Sequence, residues 1–138
     1  MIRRNSHQFA RTRVLVSIAA FGLVAISATP ALAGSGEFNN TGSMNVARID
    51  HTATLLSNGE VLVAGGNNNT DGYLSSAELY NPSTGKWTLT GSMTVPREGH
   101  DAVLLQNGQV LVAGGINATT SGCTTLATAE LYNPSTGT

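Results

Sequence analysis

The chain has 138 residues, with seven Lys or Arg against eight Asp or Glu and only 11% charged residues. That balance excludes the basic surface that phosphate binding demands, so nucleic acid is not an expected partner. A single cysteine, Cys123, excludes an internal disulfide framework, and the length suits one small domain.

Residues 1–33 read as an export signal. Arg3, Arg4, Arg11 and Arg13 precede an apolar run over residues 14–28, and Ala31-Leu32-Ala33 is a small-x-small cleavage sequence. The run is shorter than the roughly 20 residues a membrane span needs, so no span is expected after cleavage. The implied localisation is secreted or periplasmic. The remaining chain, 34–138, keeps three of the basic residues, Arg48, Lys86 and Arg97, and all eight acids, a formal net charge of −5.

From Thr41 the chain copies itself. Residues 41–66 (TGSMNVARIDHTATLLSNGEVLVAGG) return at 90–115 (TGSMTVPREGHDAVLLQNGQVLVAGG), identical at 18 of 26 positions with an offset of 49. AELYNPSTG at 77–85 returns at 129–137 with an offset of 52, so the connection before it has grown by three residues. Periods of this size mark folds in which one supersecondary unit is stacked repeatedly.

Within the unit, residues 51–56 and 60–64 are β-prone runs flanking Asn58-Gly59, a hairpin signal in which both turn residues accept positive φ. Residues 77–80 and 86–90 flank Asn81-Pro82-Ser83-Thr84-Gly85, where Pro presets φ and Gly takes the left-handed position. No helical periodicity follows the leader. The expectation is an all-β fold of four-stranded antiparallel meanders, strands A to D. Gly65-Gly66 and Gly114-Gly115 close strand B where backbones approach closely, and Tyr80 and Trp87 face each other across the C–D hairpin, with Tyr132 the second copy of that Tyr.

The Gly-Gly doublet, the Tyr of strand C and the Trp of strand D, as in Gly65-Gly66, Tyr80 and Trp87, resemble the kelch repeat, the blade of kelch β-propellers. The variant with TGSM, ARxxH, NGxVLVAGG and AELYNPSTG is similar to secreted bacterial kelch proteins, often grouped with the galactose oxidase propeller. The resemblance divides the chain into a signal peptide (1–33) and a partial propeller (34–138). The latter holds a lone outer strand at 38–44, where Phe38 stands in the place of Trp87, a complete blade at 51–91 and an incomplete blade at 100–138. It implies an N-terminal fragment of a larger ring, whose open edges could self-associate.

The duplication also sorts candidate residues. Arg48-x-x-His51 and Arg97-x-x-His100 recur at one offset, which favours a scaffold role at the start of strand A. The B–C connections, 67–76 and 116–128, diverge in sequence and length, and variable polar loops on a rigid frame are where ligands bind. Together with the D–A segments they make Arg48, Arg97, Asn67, Asn69, Asp71 and Asn117 the candidate ligand-binding residues, for a protein or carbohydrate. No catalytic residue, metal ligand or cofactor is expected from the motifs. The alternative implied by the resemblance is a carbohydrate-active copper oxidase. Its family site needs two tyrosines, one joined to a cysteine, and two histidines; Cys123, Tyr73, His51 and His100 are of the right types without matching the family motifs, and the site would lie in further blades.

Overall fold

The computed structural model describes residues 36–119 and 122–138. The chain divides into two units, Met1–Glu37 and Phe38–Thr138. The expected signal peptide lies outside the described residues, and the account below concerns the second unit. Among the described residues no helix is long and apolar enough to cross a membrane.

All regular structure among the described residues is β. The first blade is a four-stranded antiparallel meander of β1 (Thr52–Leu55), β2 (Val61–Ala64), β5 (Ala77–Asn81) and β6 (Lys86–Thr90), in that spatial order. Its register sets Thr54 against Leu62 and Leu62 against Leu79, with Tyr80 opposite Trp87. The second blade contains β7 (Asp101–Leu104), β8 (Val110–Ala113) and β11 (Ala129–Tyr132), leaving β11 as an edge.

The connections between β2 and β5, and between β8 and β11, are more ordered than loops of Asn, Thr and Ser suggest. Each folds into its own hairpin: β3 (Asn67–Asn68) with β4 (Gly72–Tyr73), and β9 (Ile116–Thr119) with β10 (Gly122–Thr125). The three additional residues in the second repeat lengthen this hairpin and leave the blade sheet in register.

The A–B turns use half of the conformation that Asn-Gly permits. Gly59 is left-handed at φ +85° while Asn58 is not, and Gly59 N–H bonds to Leu56 O while Leu56 N–H bonds to Glu60 O. This is a three-residue loop in which a type I turn runs into a left-handed glycine, not the two-residue mirror-image turn. The Asn58 side chain explains the choice, because Oδ1 accepts from Glu60 N–H at 3.0 Å and favours the longer loop. The C–D turn follows its sequence: Gly85 is left-handed at φ +66°, its N–H bonds to Asn81 O, and Asn81 Oδ1 accepts from Ser83 and Thr84.

Residues 36–44 form no strand. The expected outer strand is instead an extended segment that docks on the first blade, with Gly42 N–H on Gly85 O at 3.0 Å, Thr41 Oγ1 on Tyr80 OH at 2.8 Å, and Trp87 Nε1 donating to Gly42 O at 2.8 Å. Tyr80 and Trp87 pack with ring centroids 4.9 Å apart. A strand needs a ladder of backbone bonds to at least one neighbour, and among the described residues this segment's backbone contact with the blade is the single Gly42–Gly85 bond.

The core is the contact between the two blades. Leu62, Ala64 and Ala77 of the first meet Val110, Val112 and Tyr132 of the second, with Leu56 at the margin. Alternation puts these side chains on facing sides of the two sheets, and each buried aliphatic contributes about 1.5–3 kcal/mol. Leu62→Ala is expected to cost about 2–5 kcal/mol by transfer and cavity terms, whereas Leu89→Ala, on the exposed side of β6, changes stability by less than about 0.5 kcal/mol. Chemical denaturation of the two variants beside the parent chain measures the difference.

Candidate functional site

The two arginines organise one end of each blade. Arg48 lies in the segment leading to β1, and its guanidinium is buried. Nη1 donates to Gly65 O at 2.8 Å and Ser76 O at 2.9 Å, while Nη2 donates to Ser76 Oγ at 3.2 Å and Glu78 Oε1 at 3.0 Å. Gly65 and Ser76 are the two feet of the β3–β4 hairpin, so one side chain ties both feet to β5. Arg97 repeats the arrangement on Gly114 O, Thr128 O, Thr128 Oγ1 and Glu130 Oε1, the last at 2.9 Å. A planar fork of donors is suited to this geometry, which Lys cannot reproduce.

This placement corrects the ligand-binding expectation for both arginines. Both Arg side chains are fully buried and their Nη groups are occupied by the chain itself, so neither is presented to a ligand.

Each glutamate also accepts from the segment that carries its arginine. Asn45 N–H, Asn45 Nδ2 and Val46 N–H reach Glu78 at 2.8–2.9 Å, and Thr94 N–H, Thr94 Oγ1 and Val95 N–H reach Glu130 at 2.6–3.2 Å. Burial pushes both carboxyls up, but the hydrogen bonds from Asn45, Val46 and Arg48, or from Thr94, Arg97 and Val95, outweigh it and hold them below the ordinary 4.5. His100 is buried between the blades with Nε2 2.9 Å from Thr52 Oγ1; burial, followed by the nearby Arg97 charge, lowers it from 6.5.

Above this layer the segments and hairpins form the presented surface. The segment before β1 pairs with the hairpin through Ile49 and Asn67, and the second blade repeats the bridge with Glu98 and Ile116. Between residues 45–49 and 67–71 runs an open groove of about 500 Å³. Asn68 builds one wall: its Oδ1 accepts from Thr70 and Asp71 N–H, and its Nδ2 donates to Ala47 O at 3.0 Å and Asp71 Oδ2 at 2.9 Å. Asn69 and Asp71 are exposed on the hairpin tip, while Asn67 and Asn117 are half-buried on β3 and β9. The structure therefore brings Asn67, Asn69 and Asp71 to one groove and sets Asn117 on the neighbouring hairpin. Asn68 escaped the sequence reading, although an Asn two and three residues before Thr70 and Asp71 is the signal of a side chain closing a turn.

The two hairpins touch through Tyr73 OH and Cys123 Sγ, 3.1 Å apart. The hydrogen bond to Cys123, aided by burial and by electrostatic interaction with Cys123 and Glu98, pushes the Tyr73 phenol up to about 12. His100 Nε2 is engaged by Thr52, and among the described residues no three His, Cys, Asp or Glu side chains converge on a common point.

Residues 51–94 match the family model of the Kelch motif.

That span runs from the start of β1 past the end of β6, the whole first blade. The match supports a kelch-repeat β-propeller architecture, and the second blade repeats the same motif by sequence and by register. No curated protein matches the chain.

The charges fix the pH response. The lowered His100 means that the unfolded chain takes up its proton first, so stability is lost as pH falls below 6.5. The lowered Glu78 and Glu130 contribute stability that is complete above 4.5 and is lost as pH falls through their folded values. Melting temperature followed from pH 8 to pH 3 is expected to descend in two stages, and His100→Gln is expected to remove the first. Arg48→Met leaves Glu78 buried without its cation and is expected to cost about 3–5 kcal/mol at neutral pH by denaturant titration.

Proposed function

We propose that this chain is an exported, non-catalytic kelch scaffold that binds a protein ligand on the face built by the β3–β4 and β9–β10 hairpins and the segments before β1 and β7. The observation that carries the reading is the division of labour at that face. The repeated Arg and Glu residues are turned inward and hold the hairpin feet, whereas Asn69 and Asp71 stand exposed beside a polar groove. Rigid feet under varied tips are what a recognition surface needs, because little ordering entropy is lost on binding. The match to the Kelch motif supports protein binding as the general role.

The Arg-rich leader, the apolar run at 14–28 and Ala31-Leu32-Ala33 support export, and the net negative charge of residues 34–138 argues against nucleic acid.

Two measurements test the proposal. Expressed with its leader in a Gram-negative host, the chain is expected in the periplasm with Gly34 as its first residue; retention of the leader in the cytoplasm would contradict export. The purified chain is then screened against a displayed peptide library and a glycan array. Selected peptides are expected to bind Asn69→Ala/Asp71→Ala at least tenfold more weakly, with an unchanged melting temperature. Equal binding by the variant would remove the groove from the site, and selection of glycans alone would replace the protein ligand with a carbohydrate.

A further inference from the structure

The blades are joined at the hairpin end by backbone bonds that surround one histidine. Gly66 N–H bonds to Arg97 O at 2.8 Å, Arg97 N–H to Leu74 O at 3.1 Å and Gly99 N–H to Asp50 O at 3.0 Å, each linking the first blade or its leading segment to the segment before β7. His100 ends that segment. It is 5% exposed, and its ring packs against the foot of the β3–β4 hairpin, where a Cβ on Gly65 would come within 2.7 Å of Cε1. Its own Cβ packs against the base of the β9–β10 hairpin, where a Cβ on Gly115 would come within 2.9 Å of it. The residue is therefore a spacer between the bases of two hairpins from different blades.

The spacer is fitted for a neutral ring. A neutral imidazole carries one N–H and one lone pair, whereas an imidazolium carries two N–H groups and needs two acceptors. Nε2 lies 2.9 Å from Thr52 Oγ1, which can serve either form; Nδ1 is buried and has no partner. Protonation thus creates a buried charge whose second N–H has nothing to donate to. The charged groups around the ring do not repair this. Arg97, from the same segment, is a cation already committed to Glu130 of β11, and His51, from the segment before β1, disfavours a second charge as well. Only Asp101 of β7 acts the other way, and it is exposed; Asp50 meets the segment through its carbonyl. Thr52, Gly65 and Gly115 are uncharged. Burial, followed by Arg97, accordingly holds His100 below the ordinary 6.5.

We propose that His100 is an acid-operated latch: in mildly acidic solution its ring takes up a proton, leaves its place between the hairpin bases and parts the two hairpins while the core beneath stays closed. The separation is local for two reasons. The core contact of Leu62, Ala64, Ala77, Val110, Val112 and Tyr132 holds no group that titrates in acid. Glu78 and Glu130, lowered from 4.5, keep their charge there, so each arginine still grips its own hairpin and the two hairpins move as units. What gives way is the set of crossing bonds at Gly66, Arg97 and Gly99, together with the Tyr73–Cys123 contact between the hairpins. A ligand lying across both hairpins is then released in acid and held near neutral pH. That consequence rests on the reading of this face as the binding surface; the parting of the hairpins does not.

Hydrogen exchange followed amide by amide with NMR, on the purified chain at about pH 7.5 and about pH 5 and corrected for the intrinsic pH dependence of exchange, reads the latch without any ligand. A failed exchange test is thereby distinct from a failed ligand screen. The amides of Gly66, Arg97 and Gly99 are expected to lose protection by about tenfold or more at the lower pH, while those in the β2–β5 and β8–β11 ladders keep theirs. His100→Gln cannot take the charge and is expected to show no such pH dependence. Thr52→Asp offers the imidazolium a carboxylate where the hydroxyl stood and is expected to keep the crossing bonds protected at the lower pH; it decides the question if His100→Gln does not fold. Crossing bonds equally protected at both pH values in the parent overturn the proposal, as does a loss that extends equally to the ladders. So does a His100→Gln chain that still loses that protection in acid, or a Thr52→Asp chain that loses as much as the parent.

Discussion

The structure depends on a buried cation placed among carbonyls. An arginine at the start of each blade reaches the two feet of a hairpin and a glutamate on the third strand of the blade sheet, and everything presented to solvent at that end rests on it. Taking both charges out of water is costly, and apolar residues of similar volume would often be as stable. What apolar residues cannot do is satisfy the inward-pointing carbonyls of Gly65 and Gly114, which would otherwise be buried acceptors without donors, or give Ser76 O and Thr128 O a second donor beside Gly65 N–H and Gly114 N–H. The arginine resolves that difficulty and the glutamate neutralises the arginine. The backbone N–H groups that also reach the glutamate bring the preceding segment into the same cluster. Arg48 Nε and Arg97 Nε remain buried without an acceptor, a residual cost of serving the carbonyls first.

Most of the blade was legible in the sequence because it is written twice. Alternation in VLVAGG and AELY, the Pro and Gly of the C–D turn and the two offsets specify strand order and register, and these depend on local chemistry. The inward turn of Arg48 and Arg97 was half legible. Their recurrence suggested a shared structural task, but a charged side chain near a polar loop reads equally well as a ligand contact until its partners, 17 to 33 residues away, are known. The small hairpins inside the B–C connections were hidden because Asn, Thr and Ser carry weak β signals, and the bridge partners Ile49 and Glu98 come from a different part of the chain. The extended segment at 38–44 shows the limit in the other direction. Its sequence is that of a strand, and a strand exists only when its neighbour does.

Between scaffold and surface the chain shows a gradient of constraint. Val110 and Glu78 are completely buried, the Tyr80–Trp87 pair is half covered, and Asn69 and Asp71 are open. Packing density sets what the first group tolerates, and the last is limited only by the turn that Asn68 closes. The groove between residues 45–49 and 67–71 lies where these regimes meet, with one wall anchored by the arginine cluster and the other free to vary.

The longer hairpin of the second blade follows from how its feet are held. Gly114 and Thr128 are fixed by the same guanidinium whatever lies between them, so three added residues change neither the pairing of β8 with β11 nor the core beneath. Doubling the length of a closed loop costs only about 0.6 kcal/mol. The clamp thus separates inheritance into two compartments: the sheet must be copied faithfully, while the hairpin above it can accept insertions, and each blade can acquire a new outline without a compensating change in its interior.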